Sequence, residues 1–269
     1  MTIAAGFVCS DGVILCADTE ETAGVGYVKV PLEKVRTLED SDCTLAITGT
    51  GNSALLEMAM EQIIARVRDK SPHTLERAKK IISAVLLKLH KRQVRYQPGN
   101  HEAKLLKLLI AVKPRSEPCS LLHTEGAALH EVSSRCIFGG GSIVRMLADN
   151  LHHPALSLRQ TVVIALYVLS MARESAPAHG SASHMIAVKN DGKVVYQQLE
   201  ENAAIERALE MVKAVHRDLV LICADSTLSN DDFRSELRRL CDNMLLIRGD
   251  CLKAEAEFRS LSGETESTA

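Results

Sequence analysis

The chain opens with a pattern that constrains its fold more than any other feature. Residues 3–9 form a short apolar run, Ser10-Asp11-Gly12 has the composition of a tight turn, and residues 13–17 are apolar again. Two short apolar runs joined by an Asp-Gly turn predict a β-hairpin. Because both runs are almost entirely apolar, we expect this hairpin to be buried. The rest of the core must then be built around the start of the chain.

The residue in front of this hairpin is a threonine, Thr2, which directly follows Met1. Removal of Met1 would leave a hydroxyl and a free α-amine on one residue. Such an amine has an unperturbed pKa of about 7.7–8.0, so it can act as the general base for the hydroxyl near neutral pH. A threonine that is activated by its own amine is a recognised nucleophile. The alternative interpretation is that Thr2 merely follows a start codon.

Two charged residues have positions that bring them towards Thr2. Asp18 ends the second strand of the hairpin, which returns antiparallel to the start of the first strand. Lys34 precedes Val35, where we expect a further strand to begin. A buried ammonium needs a carboxylate partner, which Asp18 would supply, and the positive charge would favour a deprotonated Thr2. Taken separately, Asp18 also fits a turn and Lys34 a solvated surface position.

A turn that contains two glycines adds to this candidate site. Residues 43–48 have the composition of a strand, residues 49–53 interrupt it, and a helical pattern begins at Ala54. Backbone amides at a strand-to-helix turn can donate to a developing oxyanion, and Gly49 and Gly51 would let a substrate approach closely. An ordinary turn with a helix N-cap explains the same residues.

These residues resemble the start of proteasome β-type subunits, which are N-terminal-nucleophile hydrolases, as are bacterial proteasome-like peptidases. The resemblance covers residues 2–54. It rests on five matched segments: Thr2, Ala17-Asp18-Thr19, Thr22-Ala23-Gly24, Lys34-Val35 and Ile47-Thr48-Gly49. The segments from Thr2 to Lys34 align without a gap, and one inserted residue aligns Gly49.

The resemblance implies a catalytic role for four of the matched residues. Thr2 would be the nucleophile and the base. Asp18 and Lys34 would be the pair that activates it, and Gly49 would donate its amide to the oxyanion. The resemblance implies neither a metal ion nor another cofactor.

Further residues are implied to contact the substrate: Glu21, Thr22, Leu32, Ile47 and Gly51. Thr22 would contact the substrate backbone. Leu32 and Ile47 match positions that line the specificity pocket, which implies an apolar substrate side chain. Glu21 nearby implies some tolerance of a basic one.

The second half of the chain departs from the active family members. They carry a serine between two glycines in a later turn, where this chain has Gly140, with Ser142 two residues further on. The spacing of residues 139–142 fits neither common phosphate-binding motif, so we interpret them as a tight turn.

A second departure concerns the groups that would hold the Thr2 amine. The family has an aspartate after an arginine, and a serine three residues later. Here Arg173 is followed by Glu174 and Ser175, with Ser181 further on. Glu174 would replace the aspartate and Ser175 or Ser181 the serine, and the sequence forces no single alignment.

Charge and hydropathy exclude several classes of protein. The chain of 269 residues has 32 basic and 34 acidic side chains, a formal charge of −2, which gives no electrostatic argument for binding nucleic acid or an anionic membrane. No apolar run is long enough to cross a bilayer, and the first residues do not resemble a signal peptide. We therefore predict a cytoplasmic protein.

The cysteines and histidines do not predict a metal site. Eight cysteines occur without a CxxC pair, mostly inside apolar runs, and the ten histidines have no spacing typical of metal ligands. We expect buried free thiols in a reducing compartment.

The remaining pattern predicts an α+β fold. Strands, two helices, strands, two helices and strands succeed one another, which predicts two antiparallel sheets between helical layers. The four-layer αββα sandwich of the N-terminal-nucleophile hydrolases has the same order. We predict that residues 1–216 form this domain. Residues 217–259 are predicted to be a C-terminal extension that packs on the domain or on a neighbouring subunit, with a strand at 219–223 and a helix at 231–246. Residues 260–269 are predicted to be a disordered tail.

The sequence thus predicts an N-terminal threonine peptidase of the proteasome-like class that hydrolyses peptides or unfolded proteins through an acyl-enzyme on Thr2. The resemblance implies a homo-oligomer, in rings or a related assembly, and by analogy an ATP-dependent unfoldase as partner. Two alternatives stay open. One is an inactive structural β-type subunit, and the other is a small-amide hydrolase on the same fold.

Overall fold

The predicted hairpin is present as β1 (Ala4–Cys9) and β2 (Gly12–Asp18). The two strands pair antiparallel, with Ala4 opposite Ala17, and almost every residue in them is buried. The fold is taken from a computed structural model, which describes residues 3–18, 20–23, 28–31, 34–94, 106–139, 141–175, 183–197, 199–225 and 227–261.

Ten further strands follow in the described residues: β3 (Glu20–Ala23), β4 (Val28–Pro31), β5 (Arg36–Leu38), β6 (Cys43–Gly51), β7 (Leu106–Pro114), β8 (Ser120–Glu125), β9 (Ala128–Val132), β10 (Arg135–Phe138), β11 (Ser183–Lys189) and β12 (Val194–Gln197). They form two five-stranded antiparallel sheets, in the orders β10-β1-β2-β11-β12 and β5-β6-β7-β8-β9, and a separate β3–β4 pair. Strand β2 is therefore the central strand of the first sheet.

Four helices cover the outer faces of the sheets: α1 (Ser53–Lys70), α2 (Leu75–Leu89), α3 (Gly141–Leu151) and α4 (Leu158–Ser175). Helices α1 and α2 pack on the second sheet, while α4 packs on the first sheet and α3 on α4. The side chain of Asn52 caps α1 by accepting from the amide of Leu55, and Thr74 caps α2 through the amide of Arg77.

The alternation of side chains along β6 shows how the layers are joined. Leu45 and Ile47 belong to an apolar core shared with α1 and α2. Ala46 points the other way, into a core between the two sheets that also contains Leu15 and Leu121. One strand thus contributes to two cores, as expected for a sheet that is buried on both faces. The predicted α+β fold with four layers in the order αββα is confirmed.

Residues 1–198 form one compact unit, and residues 199–269 form a second. In the second unit α5 (Leu199–Ala224) packs on α6 (Asn230–Leu261). The predicted strand at 219–223 is wrong, because these residues are the last turns of α5. A short apolar run does not distinguish a strand from a helix by itself. The predicted helix at 231–246 is part of α6. The division of the chain at residue 216 stays a prediction.

The described cysteines are all free thiols. Cys9, Cys16, Cys43 and Cys119 are buried, whereas Cys223 and Cys241 are exposed. No helix among the described residues is both long and apolar enough to cross a membrane. The described side chains also contain no group of three or more His, Cys, Asp or Glu that is placed to hold a metal ion.

Candidate active site at the end of strand β2

The structure brings Asp18 and Lys34 together in a buried ion pair. The Nζ atom of Lys34 lies 2.9 Å from Oδ1 of Asp18, and each side chain is 2% exposed. Removing an ammonium and a carboxylate from water costs several kcal/mol for each ion, so about this much must be recovered from their attraction and hydrogen bonds. The predicted pairing is therefore observed, and its catalytic role stays a prediction.

The hairpin register fixes the position of Asp18. The backbone amide of Asp18 donates to the carbonyl of Ile3 at 3.3 Å, which continues the ladder between β1 and β2. The amide of Ile3 donates in turn to Oδ1 of Asp18 at 3.2 Å, the oxygen that also accepts from Lys34. One carboxylate oxygen thus links the Lys34 ammonium to the residue that follows Thr2 in the chain.

Thr48 holds the backbone at Lys34. Its hydroxyl donates to the carbonyl oxygen of Lys34 at 3.0 Å, and Thr48 is completely buried in β6. This bond ties the segment that carries the ammonium to the central part of the second sheet. Thr48 belongs to the segment Ile47-Thr48-Gly49 that resembles the family, but the sequence indicated no role for it.

Ser183 is a further buried polar residue at this place. The register of β2 with β11 sets Ser183 directly opposite Asp18, and Ser183 is 1% exposed. The sequence offered serines at 142, 175 and 181 as candidates but gave no indication of this one. Ser183 is the first residue of β11, and no local pattern in the sequence marks it as part of the site.

Gly49 has a structural reason to be glycine. It pairs with Leu108 in the ladder of β6 and β7, and a Cβ atom at Gly49 would lie 2.4 Å from the carbonyl oxygen of Lys107. The same Cβ atom would be 2.9 Å from Cδ1 of Leu56 in α1. Close packing therefore requires this glycine, whatever its part in catalysis. Gly51, at the end of β6, has a positive φ of 134°, a conformation that favours glycine.

The structure describes some of the remaining predicted site residues, and others lie outside the described part of the chain. Ile47 is completely buried in the core shared with α1, and Ser142 is exposed in the first turn of α3. For four residues the structure describes the backbone alone, in β3 or at the end of α4: Glu21, Thr22, Glu174 and Ser175. Four others lie outside the described residues: Thr2, Leu32, Gly140 and Ser181.

The buried thiols are unsuited to nucleophilic chemistry. Burial raises the pKa of Cys16 to about 12, although Cys16 lies in β2 only two residues before Asp18. Burial likewise raises the pKa of Cys43 and that of Cys119 to about 12, and that of Cys9 to about 11. Because the thiolate is the reactive form, these four groups are inert near neutral pH.

Comparison with known proteins agrees with this fold, although no protein-family profile matches the chain. The chain is 20% identical over 215 residues to a proteasome subunit beta of Methanohalophilus mahii, covering 79% of this chain and 96% of the relative. Anbu from Hyphomicrobium sp. strain MC1, in a Gly-1 mutant form, superposes with a TM-score of 0.70 at 13% identity, over 85% of this chain and all of that one.

Two other solved structures are similar to the same extent. Anbu from Yersinia bercovieri, described as an ancestral beta-subunit, has a TM-score of 0.67 at 14% identity, over 84% of this chain and 99% of that one. The helical assembly of the Anbu complex from Pseudomonas aeruginosa has a TM-score of 0.68 at 16% identity, over 84% and 98%. The chain thus resembles a proteasome subunit beta in sequence, as the sequence analysis predicted, and it has the fold of the Anbu proteins.

Proposed function

We propose that the chain is an N-terminal threonine hydrolase of the proteasome-like class that cleaves peptide bonds after removal of Met1. The observation that supports this most directly is the buried Asp18–Lys34 pair, bonded to the amide of Ile3. A buried lysine is costly even when it is paired. Activation of Thr2 by its charge would supply a chemical reason for its presence.

In the proposed reaction the hydroxyl of Thr2 attacks the substrate carbonyl and gives its proton to the α-amine of the same residue. The Lys34 ammonium lowers the energy of the developing alkoxide, and Asp18 keeps this ammonium protonated and in place. The carbonyl oxygen becomes an oxyanion that accepts from the amide of Gly49. The amine then protonates the leaving nitrogen and the C–N bond breaks, leaving an ester on Thr2.

Water completes the proposed cycle. The α-amine removes a proton from a water molecule, which attacks the ester carbonyl, and the Thr2 hydroxyl leaves with that proton. Glu174 and one of Ser142, Ser175 or Ser181 remain proposals for holding the amine. Ser183, opposite Asp18, is a further candidate for that role.

We further propose peptides or unfolded proteins as substrates and the cytoplasm as compartment. Leu32 and Ile47 favour an apolar substrate side chain, Glu21 allows a basic one, and Thr22 and Gly51 would contact the substrate backbone. The helical assembly of the Pseudomonas aeruginosa Anbu complex supports a homo-oligomer here. An ATP-dependent unfoldase is proposed by analogy alone.

The departures at Gly140 and after Arg173 favour a second candidate, an inactive structural subunit. Cleavage of capped tripeptides with a fluorogenic amide leaving group separates the two. We expect the wild type and Thr2→Ser to cleave them and Thr2→Ala to be at least 100-fold slower. Equal rates for wild type and Thr2→Ala would rule out the threonine mechanism. A wild type that cleaves small amides but no peptide would favour the small-amide hydrolase.

A further inference from the structure

Three side chains form a bridge between the two sheets near the first residues of β1. The Nζ atom of Lys107, in β7, lies 5.6 Å from the ring centre of Phe138, in β10. The ring of His123, in β8, meets the same phenyl ring edge-on, with 6.3 Å between the ring centres. Lys107 and His123 belong to the second sheet and Phe138 to the first, so these contacts span the opening between the sheets.

The pairing of the strands sets this bridge at the same end of the sandwich as the candidate active site. Phe138 lies opposite Ala4, two residues after the proposed nucleophile. Lys107 lies opposite Thr50, and directly opposed side chains point to the same face of a sheet. Because side chains alternate along β6, Thr48 is on that face too, and its hydroxyl holds the carbonyl of the lysine in the ion pair.

Two polar groups of the bridge have no polar partner among the described residues. The Lys107 ammonium, which is exposed above the phenyl ring, makes neither a hydrogen bond nor an ion pair with any of them. The Nδ1 atom of His123 is shielded from solvent and likewise has no hydrogen-bond partner there. Buried polar atoms nearly always have a partner, so the Nδ1 atom indicates a group that the described chain does not supply.

The acidic side chains around the bridge do not neutralise it. The ring of His130 stacks on His123, with 5.2 Å between the ring centres, and its far side is 3.8 Å from a carboxylate oxygen of Glu125. Glu125 is 82% exposed and contacts neither Lys107 nor His123. Glu131 points to the other face of its sheet, where it pairs with a lysine of α2. The opening between the sheets therefore has a net positive lining at this end.

We propose that Lys107 and His123 form a subsite that binds a carboxylate of the substrate, an inference that rests on the proposed peptide hydrolysis. An ammonium and an imidazole N–H both donate to a carboxylate, and such charge-assisted hydrogen bonds are about twice as strong as neutral ones. The phenyl ring of Phe138 holds the ammonium in place beside them. The carboxylate comes from an aspartate or glutamate side chain or from the free C-terminus of the peptide.

Peptide binding by the full-length Thr2→Ala variant tests this subsite without cleavage. Dansyl-labelled pentapeptides of alanine and leucine, amidated at the C-terminus, carry glutamate or glutamine at each position in turn. One further peptide has a free C-terminal carboxylate instead. We expect a carboxylate at one position to lower the dissociation constant at least about fivefold relative to its neutral counterpart. Adding Lys107→Met should remove this preference. Lys189→Met should keep it, because this exposed lysine lies opposite Gly12 at the other end of the first sheet.

The peptide series also identifies the source of the carboxylate. A preference for glutamate supports an acidic side chain, and a preference confined to the free acid supports the C-terminus. Absence of binding, equal binding of charged and neutral peptides, or a preference that survives Lys107→Met would overturn the proposal. Circular dichroism identifies a variant that has not folded, and His123→Phe, which keeps a ring but lacks Nδ1, then decides in the same way. A wild type that cleaves no peptide would contradict the proposed function alone.

Discussion

Oδ1 of Asp18 accepts from two donors at once, the Lys34 ammonium at 2.9 Å and the Ile3 amide at 3.2 Å. The same oxygen therefore serves the fold, by holding the Ile3 amide at the start of the hairpin, and the proposed chemistry, by fixing a cation. Variants of Asp18 and Lys34 separate these two contributions.

Replacing only the lysine of the ion pair should destabilise the fold much more than replacing both charged residues. Lys34→Met leaves the Asp18 carboxylate buried without its cation, and we expect a loss of about 3–5 kcal/mol in the free energy of unfolding. The double variant Asp18→Leu, Lys34→Met should recover most of this loss because no charge is then buried. Urea unfolding monitored by circular dichroism measures both. If the double variant is as unstable as the single one, the pair does more for the fold than we infer.

The same double variant isolates the catalytic role. We expect it to be folded yet to cleave peptides at least 100-fold more slowly than the wild type, since it lacks the cation that we propose activates Thr2. A folded double variant with wild-type activity would show that the pair is purely structural.

The hydrogen bond from the Thr48 hydroxyl to the Lys34 carbonyl should help to position the Lys34 side chain. Thr48→Val keeps the shape of the side chain and leaves a buried carbonyl without this donor, which should cost about 1–3 kcal/mol in stability. Thr48→Ser keeps the hydroxyl and is the matched control. Where the bond positions Lys34, kcat should fall for Thr48→Val and recover for Thr48→Ser, with KM nearly unchanged. Equal kcat values for wild type and Thr48→Val would limit the role of Thr48 to stability.

Two glycine substitutions should change the stability of the fold in opposite directions. Gly49→Ala puts a Cβ atom 2.4 Å from the carbonyl oxygen of Lys107, and overpacking of this kind costs about 1–3 kcal/mol or more. Gly249→Ala, in helix α6, meets nothing within 4 Å and should stabilise by about 0.5–1 kcal/mol, because alanine is the better helix former. Thermal unfolding of both variants tests this, and a stable Gly49→Ala variant would contradict the packing argument.

His152 should make stability depend on pH. It is buried, its ring packs edge-on against Phe7, and burial together with the Arg135 charge lowers its pKa from the ordinary value of a histidine. The folded form therefore resists protonation, while the unfolded chain takes up the proton as pH falls through about 6.5. The stability that neutral His152 contributes is fully present above that pH. It declines below that pH by at most about 1.4 kcal/mol per pH unit, and it stops changing once the pH is below the pKa of His152 in the folded protein.

Replacement of His152 tests this directly. The difference in unfolding free energy between the wild type and His152→Gln should shrink as the pH is lowered from 7.5 to 5. His153→Gln, a replacement of the adjacent exposed histidine, is the matched control. A constant difference for His152→Gln would exclude His152 as the source.

The sequence allowed some of this to be predicted, for identifiable reasons. The hairpin followed from an Asp-Gly turn between two apolar runs, and Asp18 and Lys34 were found because a buried lysine needs an acid. The end of α5 was mistaken for a strand, since residues 219–223 are apolar without a visible period of their own.

Contacts between strands that are distant in the chain explain why the sequence did not predict the roles of some site residues. Ser183 lies opposite Asp18 only because β11 pairs with β2 across a separation of 165 residues (183 minus 18). No local pattern encodes such a pairing. Thr48 likewise acts through a carbonyl, and a backbone group leaves no mark in the sequence. Gly49 was noticed as a possible oxyanion donor, but its packing against β7 required the structure.

The most direct test of the central proposal is the mass of the purified chain before and after reaction with a peptide β-lactone that acylates hydroxyl nucleophiles. We predict a protein without Met1 that gains one adduct, mapped to Thr2 by peptide sequencing. The adduct should be absent from Thr2→Ala and formed at least 100-fold more slowly in the Asp18→Leu, Lys34→Met variant. Retention of Met1 in the mature protein, or an adduct on another residue, would contradict the account.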